Sequence, residues 1–184
     1  WLEKEAKKEV ESIARKKNAP LYLMDEVKKN HPSTNLSGSF QRKNAAIALK
    51  TVELLTEFLP VDRKTTEDAF GKVHFPGRWQ TLSLNPNLIV DACHNGHGAQ
   101  AAEELWESLP RHTEVWFASC GMERVKDMIP LLLKHFKKVN FIQLNQPRSC
   151  SFDDYKTMTA DISGDINFYL EEAIPSLIDQ LDSN

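Results

Sequence analysis

The segment richest in chemical groups is Leu88-Ile89-Val90-Asp91-Ala92-Cys93-His94-Asn95-Gly96-His97-Gly98-Ala99, an apolar run, a turn with Asp, His, Asn and glycines, then a helix. An aspartate at a strand end can accept both hydroxyls of a ribose, and the first free amides of the following helix favour an anion. In an open parallel sheet ligands bind outside the carboxyl ends of strands, so such a turn has the address of a site. The plainer use of the same residues is as caps, with Asp91 and Asn95 satisfying helix amides and His94 a polar turn residue.

Arg78 follows a Pro-Gly turn in Phe75-Pro76-Gly77-Arg78-Trp79. A guanidinium held there could reach phosphate oxygens bidentately; the plainer expectation is a surface arginine stacked on Trp79. Gln41 and Asn44, three residues apart at a helix start, share one face. Their amides could read an adenine edge, or could face water. Gly121-Met122-Glu123-Arg124-Val125-Lys126-Asp127 follows another strand and reads either as a ligand-facing strand end or as a solvated charge run. His74, His94 and His97 have no partner with usable spacing except Asp91, too few donors for a tetrahedral metal site.

The elements that must position these groups change character along the chain. Leu2, Ala6, Val10, Ile13 and Ala14 recur at helical spacing, predicting an amphipathic helix over 2–17 packed by one stripe. A short strand is expected at Leu21–Met24, a loop from Asp25 to Asn35, and a strong helix from Gln41 to Leu59, ended by Pro60. Thr65-Thr66-Glu67-Asp68 has the form of a capping box for a brief helix through Phe70. From there strands and helices alternate: strands Gln80–Leu84 and Leu88–Val90, helix Ala99–Leu109, strand Val115–Ala118, helix Lys126–Phe136, strand Val139–Leu144, a strand near Ile166–Tyr169 and a helix over Glu171–Leu181. That order predicts an α/β fold, a parallel sheet wound with crossover helices, with a boundary near Gly71.

With 23 Lys and Arg against 26 Asp and Glu in 184 residues, the formal charge is −3. No polyanion-binding surface is expected, so no nucleic-acid partner is expected. No apolar run approaches the roughly 20 residues of a membrane span, so no membrane partner and a cytoplasmic location are expected. Cys93, Cys120 and Cys150 form no Cys-x-x-Cys pair and read as reduced thiols. The first residue is Trp1, inside a charged helical pattern, which reads as a piece of a longer protein.

Taken in order, these segments resemble the folylpolyglutamate/dihydrofolate synthase branch of the Mur ligase superfamily. The resemblance lies in Ala19-Pro20-Leu21-Tyr22-Leu23, in Leu36-x-Gly38-x-Phe40-Gln41-x-x-Asn44-x-x-x-Ala48, in Phe75-Pro76-Gly77-Arg78, in Asp91-Ala92-Cys93-His94-Asn95, in Gly121 through Lys126-Asp127, and in Pro147-Arg148-Ser149. It extends over roughly residues 5 to 150, and the ordered set carries the signal, not any one motif. The family pattern is altered at four positions: Phe40 stands for a His, Gln80 for an acidic residue, Gly96 for a Pro, and Val125 for an Asp.

The resemblance implies a Rossmann-like C-terminal Mur ligase domain over 71–184, preceded over 1–70 by the trailing segment of a central ATPase domain. It implies ATP as the nucleotide, with Gln41 and Asn44 near the adenine, Asp91 on the ribose, Arg78 on the phosphates, His94 at the nucleotide or the incoming glutamate, and Lys126 at the end of an Asp-Lys-Asp element. Arg78 and His94 are then the candidate catalytic residues. The implied reaction joins L-glutamate to dihydropteroate or a folate through an acyl phosphate, with Mg2+ held by residues preceding Trp1. No Gly-x-x-x-x-Gly-Lys-Ser/Thr occurs in these 184 residues, so the chain alone is expected to be inactive. The competing expectations are another Mur-type ligase, acting on a cell-wall or cyanophycin precursor, and a non-catalytic binding protein that kept the fold.

Overall fold

The computed structural model describes residues 4–23, 31–58 and 60–181. Helix α1 (Lys4–Lys16) carries Glu5 in its first turn and Arg15 and Lys16 in its last, charges that suit the helix dipole. Its apolar stripe is not packed as expected. None of its residues is buried, and Val10 and Ile13 stand exposed, while Leu2 lies outside the described residues. The strand expected at Leu21–Met24 is also absent over Leu21–Leu23, which are exposed and outside any ladder; Met24 lies outside the described residues. A strand needs a partner for its amides, and the described residues supply none there.

Helix α2 (Ser39–Leu54) begins two residues before the expected Gln41 and stops before Pro60. Gly38, at φ 98°, provides the left-handed entry that a side chain would strain. Ala45 and Leu49 of α2 pack on Phe70 of helix α3 (Arg63–Phe70), forming a small core. The expected capping box at Thr65–Asp68 is not the cap. Asp62 is, accepting the Thr65 N–H and the Thr65 hydroxyl at 2.8 Å each, so α3 starts at Arg63.

Strands β1 (Gln80–Leu84) and β2 (Asn87–Val90) correct the expectation of one parallel sheet. They pair antiparallel as a separate hairpin, Gln80 opposite Val90 and Leu84 opposite Asn87, with a bulge between Thr81 and Ser83. The reason is chain length: a two-residue connection through Asn85 and Pro86 closes only a hairpin, whereas parallel neighbours need a crossover of a dozen or more residues. The turn after β2 therefore follows a strand of the hairpin, not a strand of the parallel sheet.

The parallel sheet has the order β3-β4-β5, from β3 (Glu114–Ala118), β4 (Lys138–Gln143) and β5 (Asp165–Leu170), with Phe117, Phe141 and Phe168 in register. Helix α4 (Gly96–Trp106) precedes it. The crossover expected as one helix over Lys126–Phe136 is two, α5 (Met122–Val125) and α6 (Ile129–His135), the second with Pro130 in its first turn, where the missing N–H costs nothing. Helix α7 (Phe152–Thr159), which the periodicity did not suggest, forms the next crossover, and α8 (Ile174–Leu181) follows β5.

The main core joins Ala99, Phe117, Val125, Met128, Ile129, Leu132, Phe136, Val139, Phe141, Cys150 and Tyr155. Lys134 Nζ and His135 Nε2 both meet Glu103 Oε1, at 2.9 and 2.7 Å, tying α6 to α4. Gly96 sits where α4 begins against the α5–α6 turn, and a Cβ there would lie 2.8 Å from the Cβ of Asp127. Gly96→Ala is therefore expected to destabilise the fold by about 1–3 kcal/mol through overpacking, offset by only about 0.4–1 kcal/mol from reduced freedom of the unfolded chain. Urea unfolding of the two proteins measures it; an equal or higher midpoint for the variant would contradict the close approach.

Candidate nucleotide site

Between α2, the Pro76-Gly77 turn and the start of α4 lies a cleft of about 440 Å³, a size suited to a small ligand. Five of the six candidate residues line it: Gln41, Asn44, Arg78, Asp91 and His94. They come from three stretches of sequence that only the tertiary fold brings together. The structure places the sixth, Lys126, outside the cleft and on the surface, where its Nζ meets Glu123 Oε2 at 2.8 Å. That hydrogen bond raises the Lys126 ammonium and lowers the Glu123 carboxyl from their ordinary values.

One wall is apolar, with Leu36, Phe40, Phe70, Val73 and Phe75. Phe40 occupies the cleft at the position where the family pattern has a His. Gln41, instead of facing water, is 6% exposed. Its Oε1 accepts from Asn44 Nδ2 at 3.1 Å, so the two amides form one oriented polar patch on α2. Helices α2 and α4 also meet directly, the Ser39 N–H donating to Glu104 Oε1.

The opposite wall is built by backbone turns. Arg78 is half-buried and stacks over the Phe75 ring, 5.4 Å from its centroid, not on Trp79. No ion pair to a carboxylate is found for it among the described residues. Asp91 Oδ2 accepts the Trp79 N–H and Asp91 Oδ1 accepts the Cys93 N–H, both at 2.8 Å. Asn95 is the N-cap of α4, its Oδ1 accepting the Gly98 N–H at 2.8 Å. Of the two plain readings of this turn, capping holds for Asn95, while Asp91 binds amides outside the helix. His94 is exposed, its Nδ1 3.0 Å from the Ala92 carbonyl oxygen, which leaves Nε2 as its free end.

The arrangement suits a polar, phosphate-bearing ligand better than covalent chemistry. Cys93 lines the cleft, but burial pushes its thiol up to about 11; a hydrogen bond with the Asn95 backbone lowers it, Asp91 raises it further and Arg78 opposes that. A thiol so raised is protonated near neutrality and is no nucleophile. Among the described residues no cluster of three His, Cys, Asp or Glu could hold a metal. Among the same described residues no helix is long and apolar enough to cross a membrane.

No protein-family model matches the sequence. The chain is similar to the dihydrofolate synthase/folylpolyglutamate synthase of Buchnera aphidicola subsp. Schizaphis graminum, 30% identical over 116 residues, which is 61% of this chain and 27% of that protein. The chain thus spans about a quarter of that relative. Its fold matches Mycobacterium tuberculosis folylpolyglutamate synthase complexed with ADP and AMPPCP, with a TM-score of 0.68 at 24% identity over 81% of this chain and 36% of that one. It also matches a bifunctional folylpolyglutamate synthase/dihydrofolate synthase with Mn, AMPPNP and L-glutamate bound, with a TM-score of 0.70 at 18% identity over 92% of this chain and 44% of that one. At these identities the structural likeness is one of α/β fold.

Proposed function

We propose, with that likeness as the premise, that the chain forms one side of the ATP site of a ligase that joins L-glutamate to dihydropteroate or a folate. In this reading residues 1–70 are the trailing segment of a central ATPase domain and 71–184 the Rossmann-like domain that closes on it. The observation that carries the proposal is the convergence of Gln41, Asn44, Arg78, Asp91 and His94 on one cleft.

The roles follow from the chemistry of each group. The Gln41–Asn44 patch faces the adenine edge, with the aromatic wall against the ring. Asp91, a carboxylate with two oxygens, keeps lone pairs beyond the two amides it already accepts and can receive ribose hydroxyls. Arg78 opposes the charge that spreads over the phosphate oxygens as the acceptor carboxylate attacks the γ-phosphorus and ADP departs. The acyl phosphate is then attacked by the amine of glutamate, releasing phosphate and leaving an amide. His94 presents Nε2 to the nucleotide or to the glutamate carboxylate. Lys126, placed away from the cleft and held by Glu123, is given no part. Magnesium would accompany the phosphates, and no residue here is assigned to it.

The experiment has two arms. ATP is titrated into the 184-residue chain by calorimetry and phosphate release is followed with ATP and magnesium. The whole gene product is then assayed for transfer of radiolabelled L-glutamate to dihydropteroate and tetrahydrofolate. The expected result is nucleotide binding without phosphate release by the chain, and glutamate transfer by the gene product. Phosphate release by the chain alone that is abolished in Arg78→Ala would overturn the division of labour. Binding without transfer to any acceptor would favour a binding protein, and transfer to a cell-wall precursor another Mur-type ligase.

A further inference from the structure

We propose that Asp91 is a positioning residue for Arg78, holding the guanidinium in place through the backbone of Trp79. The proposal rests on the nucleotide reading only for what Arg78 faces. Arg78 lies between two residues in the left-handed region, Gly77 at φ 70° and Trp79 at φ 46°. Glycine adopts that conformation freely, but a bulky side chain does not, so something must hold Trp79 there. The Asp91 carboxylate is attached at that residue: Oδ2 accepts the Trp79 N–H at 2.8 Å.

The rest of the turn is fixed by its neighbours. Gln80 Oε1 accepts the Gly77 N–H at 3.0 Å, and the Ala92 N–H donates to the Gly77 carbonyl at 2.7 Å. Gln80 stands where the family pattern has an acidic residue, and its amide oxygen supplies an acceptor for this bond. Hairpin register explains why Asp91 can do this: Gln80 is opposite Val90, so the residues just beyond, Trp79 and Asp91, face each other. The same carboxylate reaches the other way, Oδ1 accepting the Cys93 N–H at 2.8 Å, one residue before His94. One side chain thus staples together the turn that carries Arg78 and the turn that carries His94. A residue that only touched a ribose would not need both oxygens committed to backbone amides.

The consequence is that losing Asp91 disorders Arg78 as well as removing a ribose contact. The test compares wild type, Asp91→Ala, Asp91→Asn, Arg78→Ala, Asp91→Ala/Arg78→Ala and Asp91→Ala/Trp79→Gly. Readouts are amide hydrogen exchange at Trp79 and Cys93 and calorimetric affinity for ATP and for adenosine. Exchange at both amides is expected to be at least roughly tenfold faster in Asp91→Ala. ATP affinity should fall about as far as in Arg78→Ala, adenosine affinity much less, and the Asp91→Ala/Arg78→Ala variant should be little worse than Arg78→Ala, because residues acting as a unit are not additive. Trp79→Gly, which removes the conformational demand, should restore at least roughly a third of the lost ATP affinity on a logarithmic scale. Unchanged exchange at Trp79, or ATP and adenosine weakened equally with additive losses and no rescue, overturns the proposal. Should Asp91→Ala fail to fold, Asp91→Asn keeps the volume and one acceptor, and its exchange at Trp79 and Cys93 gives the answer. A wild-type chain that binds no ATP would sink the nucleotide reading while the exchange rates still decide whether Asp91 holds Trp79.

Discussion

Arg78→Ala is expected to weaken ATP binding to this chain by roughly 10–100-fold while leaving adenosine binding within about twofold. The reasoning starts from partners: Arg78 lines the cleft and stacks on Phe75, and none of the described carboxylates forms an ion pair with it. Its donors are therefore available to a ligand, and a hydrogen bond to a charged group contributes about 1.5–3 kcal/mol. In the ligase reaction the loss should grow to roughly 10²–10³-fold in turnover, because charge on the transferred phosphoryl develops in the transition state, where a preorganised cation counts most. Arg78→Lys should recover only part of the ATP affinity, since an ammonium lacks the planar fork. Calorimetry with ATP, ADP and adenosine provides the check. Equal losses for adenosine and ATP would move Arg78 from the phosphates to the base or ribose, and no loss for either would make it a surface residue.

The geometry behind that expectation was only partly readable from residue order. The turn from Asp91 to Asn95 announced itself because polar groups and glycines interrupt two strongly patterned elements, and Asn95 caps α4 as its type suggests. What residue order concealed was the partner of Asp91. Reading β1 and β2 as members of one parallel sheet placed Asp91 at a strand end of that sheet; the antiparallel hairpin sets it against Trp79. The two-residue link through Asn85 and Pro86 carried that information in its length. The burial of Gln41 was hidden for another reason. It is buried beside a cleft whose lining also includes Phe70, Val73 and Ala102, distant in sequence, which no local pattern reports.

Helix α7 shows a signal present and passed over. Ser151 and Asp154 form a reciprocal capping box, the Asp154 N–H donating to Ser151 Oγ at 3.2 Å and the Ser151 N–H to Asp154 Oδ2 at 2.7 Å. The Ser-x-x-Asp spacing that misled at Thr65 was correct here. The difference lies in what precedes it, since Asp62 caps α3 through the Thr65 N–H and leaves Thr65 inside the first turn. The first 60 residues were the least legible, because much of their apolar surface has no counterpart among the described residues: Val10, Ile13, Leu21, Leu23, Ile47, Leu54 and Phe58 all stand exposed.

Tyr155→Ala is expected to have the largest effect on stability, about 3–5 kcal/mol, which is much of what holds a typical domain together. Tyr155 is fully buried, stacked on Phe141 at 4.6 Å between centroids and edge-on to Phe117 at 6.4 Å. Its hydroxyl oxygen accepts the Ser119 N–H at 3.0 Å, satisfying the backbone where β3 leaves the sheet. Tyr155→Phe keeps the rings but strands that amide, for a smaller loss of about 1–3 kcal/mol. Burial also raises the phenol above its ordinary value, the nearby Cys150 adding to the shift. A folded-state value above the unfolded one gives stability that is whole below about pH 10 and is lost as the pH rises further, because the unfolded chain ionises first. The half-buried thiol of Cys93 and the buried thiol of Cys150, raised in the same direction, begin the same loss from their ordinary value of 9.0. Urea midpoints measured from pH 7 to 11 should therefore fall at the alkaline end, and the part of the fall above about pH 10 should be smaller in Tyr155→Phe. An alkaline slope identical in the two proteins would show that the Tyr155 hydroxyl is not the group that titrates.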